Sequence, residues 1–99
     1  DPPTAFFAIN DMTAIGIYAG ARELGRRIPE DVSVLGFDDI NLCKVVNPPL
    51  STVRQPLEDL MRSAVELLLA RLSGKNQGPP THLTLSPELI LRGSTAPRR

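Results

Sequence analysis

Residues 29–55, PEDVSVLGFDDINLCKVVNPPLSTVRQ, decide the fold. After Pro29-Glu30-Asp31 the run Val32-Ser33-Val34-Leu35-Gly36-Phe37 is apolar and rich in β-branched side chains, and it stops at two carboxylates, Asp38 and Asp39. Such a run reads as a buried strand over residues 32–37 that delivers its acids to a sheet edge. In open parallel α/β sheets the ligand crevice lies outside the carboxyl ends of the strands, which makes Asp38 the leading candidate for contact with a small molecule. Asp39 is expected to cap a short helical turn over residues 40–45, which Asn47-Pro48-Pro49 ends. Residues 50–53 alternate polar and β-branched, and read as an extended connector rather than a core strand.

Upstream, Ala5-Phe6-Phe7-Ala8-Ile9 is too short an apolar run for a helix and predicts a strand over 5–9. Asn10 and Asp11 follow where a βα turn would fall. Asp11 is the expected N-cap, its carboxylate accepting from first-turn N–H groups and complementing the helix dipole. Asn10 is read either as a turn residue or as a ligand contact, because its amide both donates and accepts at a strand's carboxyl end. The helix should run over 12–24, with Gly25 at the position after the C-cap, Arg26 and Arg27 at the negative dipole end, and Pro29 blocking continuation. Ala14, Ile17, Tyr18, Ala21 and Leu24 form one apolar stripe on it. Met12, Ile15 and Ala19 form a second, either additional core or a face toward another subunit.

Downstream, Pro56 opens the longest helix, over 56–73, with Glu58 and Asp59 in its first turn and Gly74 closing it. Leu57, Leu60, Met61, Ala64, Val65, Leu68 and Leu72 line a face that Leu67 and Leu69 widen; so broad a face should be largely buried. Residues 75–80 read as a loop, 82–85 and 89–91 as two short strands, and the chain after Gly93 as a loose tail ending in Arg98 and Arg99.

The 99 residues, 41% hydrophobic and 22% charged, suit one small soluble domain or a piece of a larger one. No apolar run approaches the ~20 residues of a membrane span. Eleven basic and eleven acidic residues balance to a formal charge of zero, so this segment is not itself an electrostatic clamp on nucleic acid. The single cysteine, Cys43, and the lack of a signal peptide point to a cytoplasmic setting. Yet the chain opens Asp1-Pro2-Pro3-Thr4, without an initiator Met, and enters a strand at once, so it is expected to be cut from something longer.

No pattern demands catalysis, and no cofactor motif is present. Asp38 and Asp39 are neighbours on an extended backbone, poorly placed to share a proton. His82 is the only histidine and has no metal-ligand spacing around it. Cys43 reads as a small buried hydrophobe, and Ser33 and Ser51 lack nucleophile-elbow glycines. What remains is a polar set at strand and connector ends, Asn10, Asp38 and Gln55, whose composition suits small-molecule binding without chemistry.

The order of motifs resembles the C-terminal part of the effector-binding core of the lactose-repressor/galactose-repressor (LacI/GalR) family of bacterial transcription regulators. The matching residues are Pro3-Thr4-Ala5 leading to Ala8-Ile9-Asn10-Asp11-Met12 and Ala14-Ile15-Gly16, then Ile28 through Asp39, Pro48 through Pro56, and Leu85 through Thr95. The resemblance implies a type I periplasmic-binding-protein-like α/β fold: two subdomains, each a parallel sheet flanked by helices, with the effector in the cleft between them. On that likeness residues 1–51 and 87–95 belong to the C-terminal subdomain, 52–55 cross over, 56–86 belong to the N-terminal subdomain, and 96–99 trail. It also implies Asn10, Asp38 and Gln55 as effector contacts, with Phe37 supporting the pocket wall. Ile15 and Val46 fall on what resembles a dimerisation surface.

The implied function is binding of a sugar or nucleoside effector by a homodimer. DNA would be read by an N-terminal helix-turn-helix that these residues do not contain. The main alternative is a periplasmic solute-binding protein, which shares the fold but matches the last two motifs less well. An enzyme on a small α/β scaffold has no residue set in its favour.

Overall fold

The computed structural model describes residues 1–98; Arg99, the end of the expected tail, lies outside them. The elements in chain order are β1 (Ala5–Phe7), α1 (Asp11–Glu23), β2 (Ser33–Leu35), a single 3-10 turn (Asn41–Lys44), β3 (Thr52–Arg54), α2 (Leu57–Leu72) and β4 (Glu88–Ile90). They form two compact units, one of Asp1–Arg54 with the segment from Glu88 onward, the other of Gln55–Pro87.

In the first unit β1 and β2 pair in parallel, Phe6 opposite Val34. An isolated parallel bridge from Leu35 to Ser51, with Gly36 N–H to Ser51 O (2.9 Å) and Asp38 N–H to Val53 O (2.9 Å), links this pair to a second two-stranded sheet of β3 and β4. β4 closes that side antiparallel, Thr52 opposite Ile90. β1 to α1 to β2 is thus a parallel strand pair with its crossover helix. Helix α1 ends as its sequence predicts: Gly25 sits at φ +67, its N–H bonds Arg22 O, and Arg26 N–H bonds Ala21 O, the paired closure a left-handed glycine permits. The core is Ala8, Ala14, Val34, Cys43 and Leu50, with Ile17, Tyr18, Ile28, Ile40 and Val46 packed against it. Val34 is fully buried at the centre of β2. Val34→Ala should lower unfolding free energy by about 2 kcal/mol, two lost methyl groups plus the cavity, read as a shifted urea midpoint at unchanged slope.

Three expectations fail here. Residues 50–53 are no mere connector: Leu50, Ser51 and Thr52 have no exposed surface, and Thr52–Arg54 is a strand paired antiparallel with Glu88–Ile90. Ser51 and Thr52 are buried because their hydroxyls are paired: Ser51 Oγ with Thr95 Oγ1 (3.2 Å) and Arg92 N–H (2.8 Å), Thr52 Oγ1 with Asp11 (2.6 Å). Nor is the chain loose after Gly93. Ser94 is fully buried; its hydroxyl donates to Val34 O (2.6 Å) and accepts from Ser51 N–H (2.8 Å), tying β2 to the chain before β3. Ala96 exchanges two bonds with the Ser33 hydroxyl. Finally, residues 82–85 form no strand, and His82 is exposed.

In the second unit α2 has acids in its first turn and Arg71 in its last, as the dipole favours. None of its residues is buried; Leu57, Met61, Val65, Leu68, Leu69 and Leu72 are all exposed. The largely buried face expected from its width is therefore not buried among the described residues.

Candidate functional site

The carboxyl ends of β1 and β2 lie side by side, so residues 10–11 and 36–40 share one edge of the first unit. Asp11 N–H donates to Phe37 O (3.0 Å) and fastens the two ends together. This edge brings Asn10, Phe37 and Asp38 together, all three half-buried. Gln55 belongs to the second unit, immediately ahead of α2.

The chain around Asp38 has an unusual shape. Asp38 sits at φ +118 and Asp39 at φ +58, where L-residues rarely go and where each costs of order 1–3 kcal/mol. Such a shape persists only when its surroundings over-determine it, and they do. Asp38 N–H is held by Val53 O, Asp39 N–H lies 3.4 Å from Thr52 Oγ1, and Ile40 N–H donates to Asp11 Oδ2 (2.8 Å). The Asp39 carboxylate takes Arg54 Nε on one oxygen and an Arg92 terminal nitrogen on the other, each at 2.7 Å. A second Arg92 nitrogen bonds Leu50 O (2.9 Å).

Asp39 is therefore an anchor and not the helix cap expected of it; the 3-10 turn starts at Ile40 with no side-chain cap. Burial pushes its carboxyl upward, but the two guanidiniums more than offset this and hold it below the ordinary 3.8. The sign follows from linkage. A depressed folded pKa contributes stability above about pH 4 and loses it as pH falls through the folded value. The stability advantage of the natural protein over Asp39→Asn should accordingly be flat near neutrality and shrink below about pH 4, measured by urea unfolding across pH.

The helix cap expected of Asp11 falls to Asn10. Asn10 is the N-cap, its Oδ1 accepting from Thr13 N–H (2.9 Å), so the carbonyl side of that amide serves the helix while its N–H2 side can still donate. Asp11 is 1% exposed and does not cap. Its carboxylate instead accepts from Ile40 N–H, the Thr52 hydroxyl and the Cys43 thiol (3.1 Å). Cys43 is buried, as its sequence reading has it; burial, then the Asp11 bond and charge, push its thiol up to about 12, which makes it inert at neutral pH. Sequence reasoning missed the Asp11–Thr52 and Asp39–Arg54–Arg92 links. The one local hint is Gly36, a glycine ending an apolar strand beside the acids, where another backbone approaches closely.

Of the proposed dimer-surface pair, Ile15 is half-buried on α1, and Val46 is half-buried against the core; its neighbour Val45 is 73% exposed. Among the described residues no helix is long and apolar enough to cross a membrane.

Residues 1–95 match the family model of the periplasmic binding protein-like domain. The chain is 45% identical over 92 residues to the ribose operon repressor of Haemophilus influenzae, covering 93% of this chain and 27% of that protein. It is 43% identical over 94 residues to the helix-turn-helix-type transcriptional repressor CytR of Escherichia coli, covering 95% and 27%. A solved LacI-family transcriptional regulator from Enterococcus faecalis with bound ribose superposes with a TM-score of 0.87 at 43% identity, covering 97% of this chain and 36% of that one. The chain thus spans about a quarter of the length of the curated relatives it matches, 27% in each case.

Proposed function

This chain belongs to the periplasmic binding protein-like domain family, as a portion of an effector-binding domain of the LacI/GalR type, and from that premise we propose that it binds the small-molecule effector of a DNA-binding transcription regulator. The observation that carries the reading is the turn at Asp38: a strained segment at the carboxyl edge of a parallel sheet, held by bonds from β3, Asp11 and two arginines. Strain kept in place by so many contacts is characteristic of ligand clamps. Asp38 is the principal contact, its carboxylate suited to accept from effector hydroxyls; Asn10 donates from its free N–H2 side, and Phe37 supports the pocket wall. Gln55 is a fourth contact on the strength of its motif position.

The effector is a small sugar or nucleoside-like molecule, in keeping with ribose in the solved relative. Repressors among the relatives favour a cytoplasmic regulator over a periplasmic solute-binding protein and over an enzyme. In such a protein the unit Gln55–Pro87 belongs to the second subdomain, and Ile15 and Val46, with exposed Met12 and Val45 as sequence neighbours, belong to a homodimer face. DNA is bound through a helix-turn-helix outside these residues. An effector that prefers one conformation shifts the population of DNA-competent dimers, with coupling typically about 1–3 kcal/mol. The test is calorimetric titration of the natural full-length protein with D-ribose and a panel of pentoses, hexoses and nucleosides. Saturable binding of one class supports the reading; binding of none contradicts it.

A further inference from the structure

We infer that Asp11 is the positioning residue of the effector turn and couples it to helix α1; the inference rests on the effector reading of Asp38. Asp11 is the first residue of α1, yet capping is already done by Asn10. A carboxylate 1% exposed is costly to bury unless its oxygens are satisfied. All its acceptor bonds go elsewhere: to Ile40 after β2, to Cys43 in the 3-10 turn and to Thr52 in β3. Its backbone N–H goes to Phe37 O. Asp11 therefore grips the chain on both sides of Asp38, one residue before and two after.

Between those two grips lie both positive φ angles, +118 and +58. The Thr52 hydroxyl completes the hold, donating to Asp11 Oδ1 (2.6 Å) while the Asp39 N–H approaches its oxygen (3.4 Å). A turn of this shape relaxes when its constraints are removed, and Asp11 supplies a share of them, the Ile40 and Thr52 bonds to its carboxylate and the Phe37 bond to its N–H, beside those from Val53 O and the two arginines. The backbone of Asp11 is itself helix, so a shift of the turn on effector binding is passed to α1, which carries Ile15 one turn further on. No local rule demands an aspartate here, since a well-packed apolar group would be as stable as a buried charge with its partners. What the charge supplies is a single defined geometry for Asp38.

The test uses the full-length protein with Thr52→Val, which keeps shape and loses the donor, Thr52→Ser, which keeps the donor, and Asp11→Asn. Readouts are affinity for whichever panel compound the natural protein binds, D-ribose first, together with amide hydrogen exchange at Asp38–Ile40 and thermal melting. Thr52→Val should weaken binding about tenfold and speed exchange at residues 38–40, while Thr52→Ser stays within about twofold. Should Thr52→Val and Asp11→Asn lower melting but leave affinity and exchange at 38–40 at natural values, Asp11 only fills the core and the inference is overturned. A natural protein that binds no panel compound contradicts the effector reading instead, and the exchange data separate the two failures.

Discussion

Asp38→Ala should weaken effector binding by about 100-fold, the roughly 3 kcal/mol of two charge-assisted hydrogen bonds lost from a half-buried carboxylate. The fold should survive, because the variant keeps the bond from the Asp38 N–H to Val53 O and the holds on Asp39 and Ile40. A second variant separates side chain from backbone. Asp38→Gly also lacks the carboxylate, so it should bind as poorly as Asp38→Ala, yet glycine adopts φ +118 without the penalty a Cβ brings. Asp38→Gly should therefore be more stable than Asp38→Ala by about 1 kcal/mol in urea unfolding. That pattern, stability gained by relaxing a site that function requires strained, is the usual trade-off at binding residues. Near-natural affinity in Asp38→Ala would remove Asp38 from the site.

Gly36→Ala should cost about 3 kcal/mol of stability and weaken effector binding as well. The reason is steric. A Cβ at Gly36 would press on Asp11 Oδ1 and stand 3.1 Å from Leu50 Cδ2 and 3.3 Å from Asp11 Cα. Neither neighbour has room to yield: Leu50 is fully buried, and swinging Asp11 aside breaks its bonds to Ile40, Thr52 and Cys43. One added methyl group thus reaches the same carboxylate that shapes the Asp38 turn. Denaturant unfolding within about 0.5 kcal/mol of the natural protein would mean that this close approach is not held in solution.

The contrast between what the sequence disclosed and what it concealed has a physical origin. Strand, helix and strand over β1, α1 and β2 follow from short apolar runs, a helical stripe, Gly25 and Pro29, all signals confined to a few adjacent residues. The position of Asp38 at a strand's carboxyl edge follows from the same run. Residues 50–54 are different: Ser51 and Thr52 look like surface residues because the groups that satisfy them, Asp11, Arg92 and Thr95, lie about forty residues away in the chain. Ser94 deceives for the same reason, a buried hydroxyl sixty residues from Val34. Asn10 and Asp11 are both good caps by residue type, and only the approach of β3 decides which of them caps and which is drawn into the core. The burial expected from the breadth of the α2 stripe is not met: among the described residues no side chain of α2 is buried, because a stripe's width reports how much apolar surface a helix carries and not what lies against it.

Whether Asp38 holds the effector is read most directly from a crystal structure of the full-length protein with its effector bound. Effector hydroxyls should lie about 2.7 Å from the Asp38 carboxylate, with the Asn10 amide nitrogen and the Phe37 ring against the same molecule and the Asp38 and Asp39 φ angles still positive. An effector bound away from residues 10, 37 and 38, with the Asp38 carboxylate beyond hydrogen-bond reach of it, would mean that this edge of the sheet is not the effector site.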